Sequence, residues 1–155
     1  MSEEPLVDHG FRRPTGRLAP YVTRFVGYRY SGLEPGLHRG MPSCQLTLVI
    51  SLGPPTCMAA MPDPQQRPAA FVALAGGLHT RPVMIEHDGS GFGVQLELTP
   101  AGSRALLGTP ASELASVVVD LADVIGPASG EMVERCREAT DWEARFDVIE
   151  EVLTR

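Results

Sequence analysis

The side chains best suited to metal or nucleophilic chemistry in this chain of 155 residues are His9, His38, His79 and His87, with Cys44, Cys57 and Cys136. Two of the histidines fall in GLHTRPVMIEHDGSGFGVQLELTP, residues 77–100, beside Arg81, Glu86 and Glu97. A metal centre in a small β-barrel needs several His or carboxylate ligands converging from neighbouring strands. The usual pattern is two histidines one residue apart, then a glutamate, then a distant histidine. Here His38, His79, His87 and Glu86 are available, but no HxH occurs, and His9 lies near the amino terminus. Nucleophilic chemistry would fall to Cys44 or Ser43, six and five residues after His38 in HRGMPSC. No nucleophile elbow, Gly-rich phosphate loop or hydrolase motif accompanies them. Neither a catalytic residue nor a metal ligand is assigned, and no cofactor is expected.

The elements that must position these groups follow from periodicity. Residues 1–16 are polar with Pro and Gly and predict a loose arm. TRFVGYRY predicts a strand with Val26, Tyr28 and Tyr30 on one face. SGLEPGLHRGMPS reads as a turn-rich connector. QLTLVISL predicts the clearest strand: Leu46, Leu48, Ile50 and Leu52 share one face, and Gln45, Thr47, Val49 and Ser51 the other. Residues 53–68 hold five prolines and predict a long loop. FVALA is a further short strand, and PVMIEHD and FGVQLEL read as a hairpin about the turn Asp88–Gly91.

From Thr99 onward the period changes to about 3.6. Thr99 and Thr109 each precede a proline, an N-cap and N1 pairing, and predict helices near 100–107 and 110–118. A short turn at 121–125 closed by Gly126 and helices over 129–139 and 141–153 follow. Thr140 and Glu143 would form a capping box for the last helix. Its stripe Trp142, Phe146, Ile149 and Leu153 makes one apolar face. Strands precede helices without βαβ alternation, which predicts an α+β chain: an antiparallel barrel or sheet with a helical tail.

Composition narrows the partners. The net charge is −6, and all 13 basic residues are arginine. That balance disfavours nucleic acid or an anionic membrane as the main partner. Residues 82–155 carry 14 Asp and Glu against 5 Arg. RALLGTPASELASVVVD (104–120) mimics a helix-turn-helix, but its second half carries Glu113 and Asp120 and no Arg, so it would repel phosphates. Leu106, Leu107, Leu114 and Val118 are expected to turn inward instead. No signal peptide, membrane span or CxxC pair is present, which predicts a cytoplasmic protein with reduced thiols.

Polar groups facing a small barrel's interior usually bind something. Arg81, Gln95 and Glu97 can serve, with Tyr28, Tyr30, His38 and His79. Alternatively, Arg81 and Glu97 are an exposed cross-strand pair on the sheet's solvent side.

The order LAPYVTRFVGY, HRGMPSCQLTLVISLGPP, FVALAGGLHTRPVMIEHDG and GVQLELTPAGSRALLGTPASELASVVVDLADVIG resembles the N-terminal sensor domain of a group of AraC-type bacterial transcription regulators. The likeness runs from Leu18 to the last helix, and its specificity lies in the order and spacing of the segments. It implies a cupin-like barrel followed by helices that help a homodimer form. It also implies a DNA-binding unit of two helix-turn-helix motifs that would begin after Arg155, so the chain is expected to be a truncated regulator rather than a stand-alone sensor. His38, Arg39, Pro42 and Ser43 match one motif of the group, and His79, Thr80, Arg81 and Pro82 another.

The resulting expectation is an effector-sensing and dimerisation domain that is not an enzyme. It comprises an arm (1–16), a β-rich sensor part (17–98) and a helical segment of the same domain (99–155). Ligand candidates are His38, Arg39, His79, Arg81, Gln95, Glu97, Tyr28 and Tyr30. Dimer or linker candidates are Trp142, Phe146, Ile149 and Leu153. The partners expected are a small-molecule effector, a second copy and, through the further domain only, DNA. The competing readings are a cupin-like metal enzyme using His38, His79, His87 and Glu86, and a small-molecule-binding protein acting alone.

Overall fold

Strand periodicity and helix caps assemble, in a computed structural model describing residues 4–155, into three layers. The central layer is a six-stranded antiparallel sheet in the order β1-β2-β9-β4-β7-β10. Its strands are β1 (Leu6–Arg12), β2 (Val22–Ser31), β9 (Gly91–Leu98), β4 (Leu46–Ser51), β7 (Ala73–Gly76) and β10 (Val118–Asp120). A four-stranded sheet, β3-β8-β5-β6, covers part of one face. It contains β3 (Gly36–Gly40), β8 (Val83–His87), β5 (Thr56–Ala60) and β6 (Ala69–Phe71). Helices α1 (Pro100–Leu107), α2 (Ala122–Ile125), α3 (Ala128–Glu138) and α4 (Trp142–Leu153) form the third layer. The α+β class and the helical tail are as the periodicity indicates, and the strands form two sheets rather than a closed barrel.

The main core lies between the central sheet and the helices. Leu46, Leu48 and Ile50 of β4 and Val94, Leu96 and Leu98 of β9 meet Met132, Cys136, Phe146 and Ile149 there. The alternate residues of the same strands, including Val49, Ser51 and Gln95, face the smaller sheet. A second apolar cluster of Met58, Met61, Leu74, Val83 and Val118 closes part of the gap between the two sheets.

Thr99 caps α1 by accepting a hydrogen bond from the Gly102 amide at 3.1 Å, with Pro100 in the first turn. The capping box at Thr140 and Glu143 does not form. Asp141, one residue on, accepts from the Ala144 amide at 2.8 Å and starts α4.

Four further expectations are corrected. Leu6–Arg12 is a full strand, not part of a loose arm, and pairs with β2 over seven positions. What orders it lies over 130 residues away: Arg12 reaches Glu143, Asp147 and Glu150 of α4 at 2.7–3.2 Å, and Trp142 Nε1 donates to Asp8 at 3.1 Å. Residues 1–3 of that arm lie outside the described residues. The expected connector and the proline loop contain β3 and β5.

PVMIEHD and FGVQLEL are not a hairpin: β8 pairs with β3 and β5, and β9 with β2 and β4. The turn is real, with the Ser90 amide and hydroxyl donating to Asp88 at 2.9 and 2.7 Å. It carries the chain from one sheet to the other. Residues 110–118 form only a 3-10 turn at Ala111–Leu114 before the β-branched run Val117–Val119 enters β10. The inward residues Leu107, Leu114 and Val118 are buried as expected.

No helix among the described residues is long and apolar enough to cross a membrane.

Candidate functional site

The two sheets part at one end and leave a cleft of about 760 Å³, within the range of small-molecule sites. Its floor comes from β2, β4 and β9, where pairing sets Tyr28 opposite Gly93 and Gln95 between Val26 and Val49. Side chains alternate along each strand, so Tyr28, Tyr30, Val49, Ser51 and Gln95 all reach the cleft while the strands' apolar faces fill the core. Its roof and rim come from β8, β3, the turn after β8 and the loop before β5. They contribute Ile85, His87, His38, Asp88, Pro54, Pro55 and Thr56.

Three hydroxyls gather at the deep end. Ser51 Oγ and Thr56 Oγ1 are 2.7 Å apart, sharing one hydrogen bond. The Tyr28 hydroxyl lies with them; burial pushes it up to about 12, partly offset by hydrogen bonding with Thr56 and Ser51. It therefore stays protonated near neutrality, able both to donate and to accept. Close packing holds it in place: a Cβ on Gly93 would come within 2.5 Å of the Tyr28 hydroxyl and 2.6 Å of the Ile50 carbonyl oxygen.

Tyr30 continues the aromatic floor. Its ring centroid is 6.4 Å from that of Tyr28 with the planes 31° apart, and His87 meets it edge-on at 6.1 Å and 89°. Burial, then the charge of Asp88, raises the Tyr30 hydroxyl above the usual phenol range.

Of the eight ligand candidates from sequence, Tyr28, Tyr30, His38 and Gln95 line this cleft. The other four do not. Arg39 follows His38 on the opposite face of β3 and is exposed. Arg81 is exposed in the segment before β8. Glu97 pairs with Arg24, not Arg81, at the other end of β9. His79 packs beside Gly76 of β7; burial lowers its pKa, and its Nδ1 is buried without a hydrogen-bond partner among the described residues.

This dispersal also separates the ligands a cupin-like centre would need. His38 and His87 reach the cleft, but His79 does not. Among the described residues no group of three or more His, Cys, Asp or Glu is placed to share a metal ion. Cys44 and Cys57 are exposed, and Cys136 is buried in the helical core with its thiol pushed up to about 11 by that burial.

Sequence reasoning missed Thr56, Pro54 and Pro55, because the proline-rich stretch read only as a long loop. The alternation of β4 already set Val49 and Ser51 apart from the core face, and that signal points to the cleft.

The helical stripe proposed for dimer contact is inside the chain. Phe146 and Ile149 are fully buried and Leu153 nearly so. Trp142 lies over Gly10 and Gly27, where any Cβ would overlap its indole. The stripe faces the chain's own sheet because β1 and β2 present glycines that let an indole approach.

One wall of the cleft continues into this helical packing. Phe92, at the start of β9, borders the cleft and meets the Trp142 ring edge-on at 6.0 Å. Arg145 packs against both, its guanidinium 5.0 Å from the Phe92 centroid and 4.9 Å from that of Trp142.

Residues 11–120 match the family described as Domain of unknown function (DUF6597), and the chain belongs to that family. The matched span covers β2 to β10 and so contains every element that builds the cleft. No curated protein matches the chain.

Proposed function

We propose that the chain is the effector-sensing domain of an AraC-type transcription regulator, acting as a homodimer in the bacterial cytoplasm and leaving DNA contact to a separate domain. The observation that carries the sensing part is the cleft itself. It is of ligand size, walled by aromatic and aliphatic groups, and holds a few converging polar atoms at its deep end. The regulator part rests on the resemblance of the segment order to AraC-type sensor domains.

A sensor must also report occupancy, which requires the ligand to favour one arrangement of the protein over another. Phe92 gives a physical route, since it borders the cleft between Gly91 and Gly93 while its ring packs on the helical face against Trp142 and Arg145 of α4. The route runs to the helical layer, whose buried stripe is unavailable for dimer contact; pairing of two copies would use other surfaces.

Thermal-shift screening against a metabolite collection tests the reading. A ligand present at 100 times its Kd stabilises the folded form by about 2.7 kcal/mol. At roughly 2–4 °C per kcal/mol for a chain of this size, the melting point rises by about 5–11 °C. Val49→Phe, which fills the cleft, should abolish the response. The proposal fails if no compound raises the melting point, or if every active compound shifts the Val49→Phe protein equally.

A further inference from the structure

The charged groups around the cleft are one-sided. Glu86 and Asp88 border it, and among the described residues no arginine lines it, although the chain carries 13. The arginines on the neighbouring strands are turned elsewhere, Arg39 onto the face of β3 opposite His38. Arg29 stacks on Phe92 at 5.0 Å, from the helical side of the sheet, and Arg24 is held by Glu97. An anionic ligand entering here would lose its hydration without gaining a permanently charged partner, which is unfavourable in a partly enclosed site.

The shape is also selective. Tyr28 and Tyr30 present rings only 31° from coplanar, and the rigid rings of Pro54 and Pro55 border the same space. Where the two sheets part, the cleft opens between these rings and the opposing side chains of Ile85 and His87, so a flat ring system can lie along the tyrosines. The hydroxyls of Tyr28, Ser51 and Thr56 offer donors and acceptors to one end of such a molecule.

From this juxtaposition of flat aromatic walls, a neutral hydroxyl cluster and a rim that holds two carboxylates and two histidines but no arginine, we propose that the ligand is an uncharged, planar aromatic molecule carrying a polar group at one end. This rests on the reading of the cleft as a ligand site, and the test separates the two.

Fluorescence titration with a matched dye pair reads the preference. N-phenyl-1-naphthylamine is neutral, and 1-anilinonaphthalene-8-sulfonate is the same ring system with an anionic group. The neutral dye should bind at one site per chain, and the sulfonate at least tenfold more weakly. His38→Arg places a cation at the exposed rim and should narrow that gap to about threefold or less.

Val49→Phe and Gln95→Phe each fill the cleft by a different route, so the loss of neutral-dye binding can be read even if one variant folds poorly. Equal binding of both dyes, lost together in the filled variants, would overturn the charge preference while leaving the cleft as a site. Tighter binding of naphthyltrimethylammonium than of the neutral dye would replace it with a preference for cations. Absence of binding by all the dyes, or binding that survives both filled variants, would overturn the ligand-site reading itself.

Discussion

Replacing Arg145 by methionine should destabilise the protein more than almost any other substitution of a charged residue. Arg145 is 8% exposed, and its hydrogen bonds go to main-chain carbonyls rather than to a carboxylate. Nε donates to the Cys136 carbonyl at 3.2 Å and Nη2 to the Ala139 carbonyl at 2.8 Å. Both acceptors lie at the C-terminal end of α3, where the helix dipole favours a cation. The guanidinium also lies against the rings of both Phe92 and Trp142.

Methionine keeps much of the apolar stem but leaves two carbonyls without a donor, at roughly 1–3 kcal/mol for each that stays dry. Losing two cation–π contacts adds about 0.5–1 kcal/mol apiece. Relief of the arginine's own desolvation offsets part of this, leaving a net loss of about 2–4 kcal/mol. Calorimetry should then show a melting point lower by roughly 4–16 °C. Arg145→Lys keeps the charge but cannot span both carbonyls, and should fall between the two proteins. A methionine variant melting within about 2 °C of the parent would refute the claim that this arginine ties α4 to the end of α3.

Three other outcomes follow from the packing. Tyr28, pushed up to about 12 by burial, should ionise well above the usual phenol range in a native absorbance titration. Its folded pKa is the higher one, so its contribution to stability is whole below pH 10 and is lost as pH rises from 10 towards 12; Tyr28→Phe should remove that alkaline loss, and an unchanged profile would contradict it. The Gln66 side chain caps the free edge of β10, donating to the Val118 carbonyl and accepting from the Val118 amide at 3.2 Å; Gln66→Ala should cost about 1–2 kcal/mol in urea unfolding and speed amide exchange at Val118. Thr99→Ala removes the cap of α1 and should cost about 1 kcal/mol by the same assay, with no effect on dye binding in the cleft.

How much of this was legible in the sequence depended on how local its cause was. The alternation in QLTLVISL and FGVQLEL placed Leu46, Leu48, Ile50, Val94, Leu96 and Leu98 in the core, because a strand's two faces are written in its own residues. The cap at Thr99 and the helical stripe of α4 were legible for the same reason. Strand β1 was not: its order depends on Arg12 and Asp8 meeting α4, contacts that no window of neighbouring residues contains. The false hairpin after β8 has a related cause, since Asp88–Gly91 encode a reversal but not which strands pair. Half of the candidate ligand residues reached the cleft. Tyr28, Tyr30 and Gln95 did so through strand parity; Arg81 and Glu97 depended on a pairing that the two-sheet arrangement does not make.

Amide NMR of the labelled protein titrated with N-phenyl-1-naphthylamine locates binding residue by residue. The largest shifts should fall on Ser51, Thr56, His87 and Gly91–Gln95, with smaller ones passing through Phe92 to Trp142. Shifts confined to exposed strand β1, or none at millimolar dye, would contradict a ligand site between the two sheets.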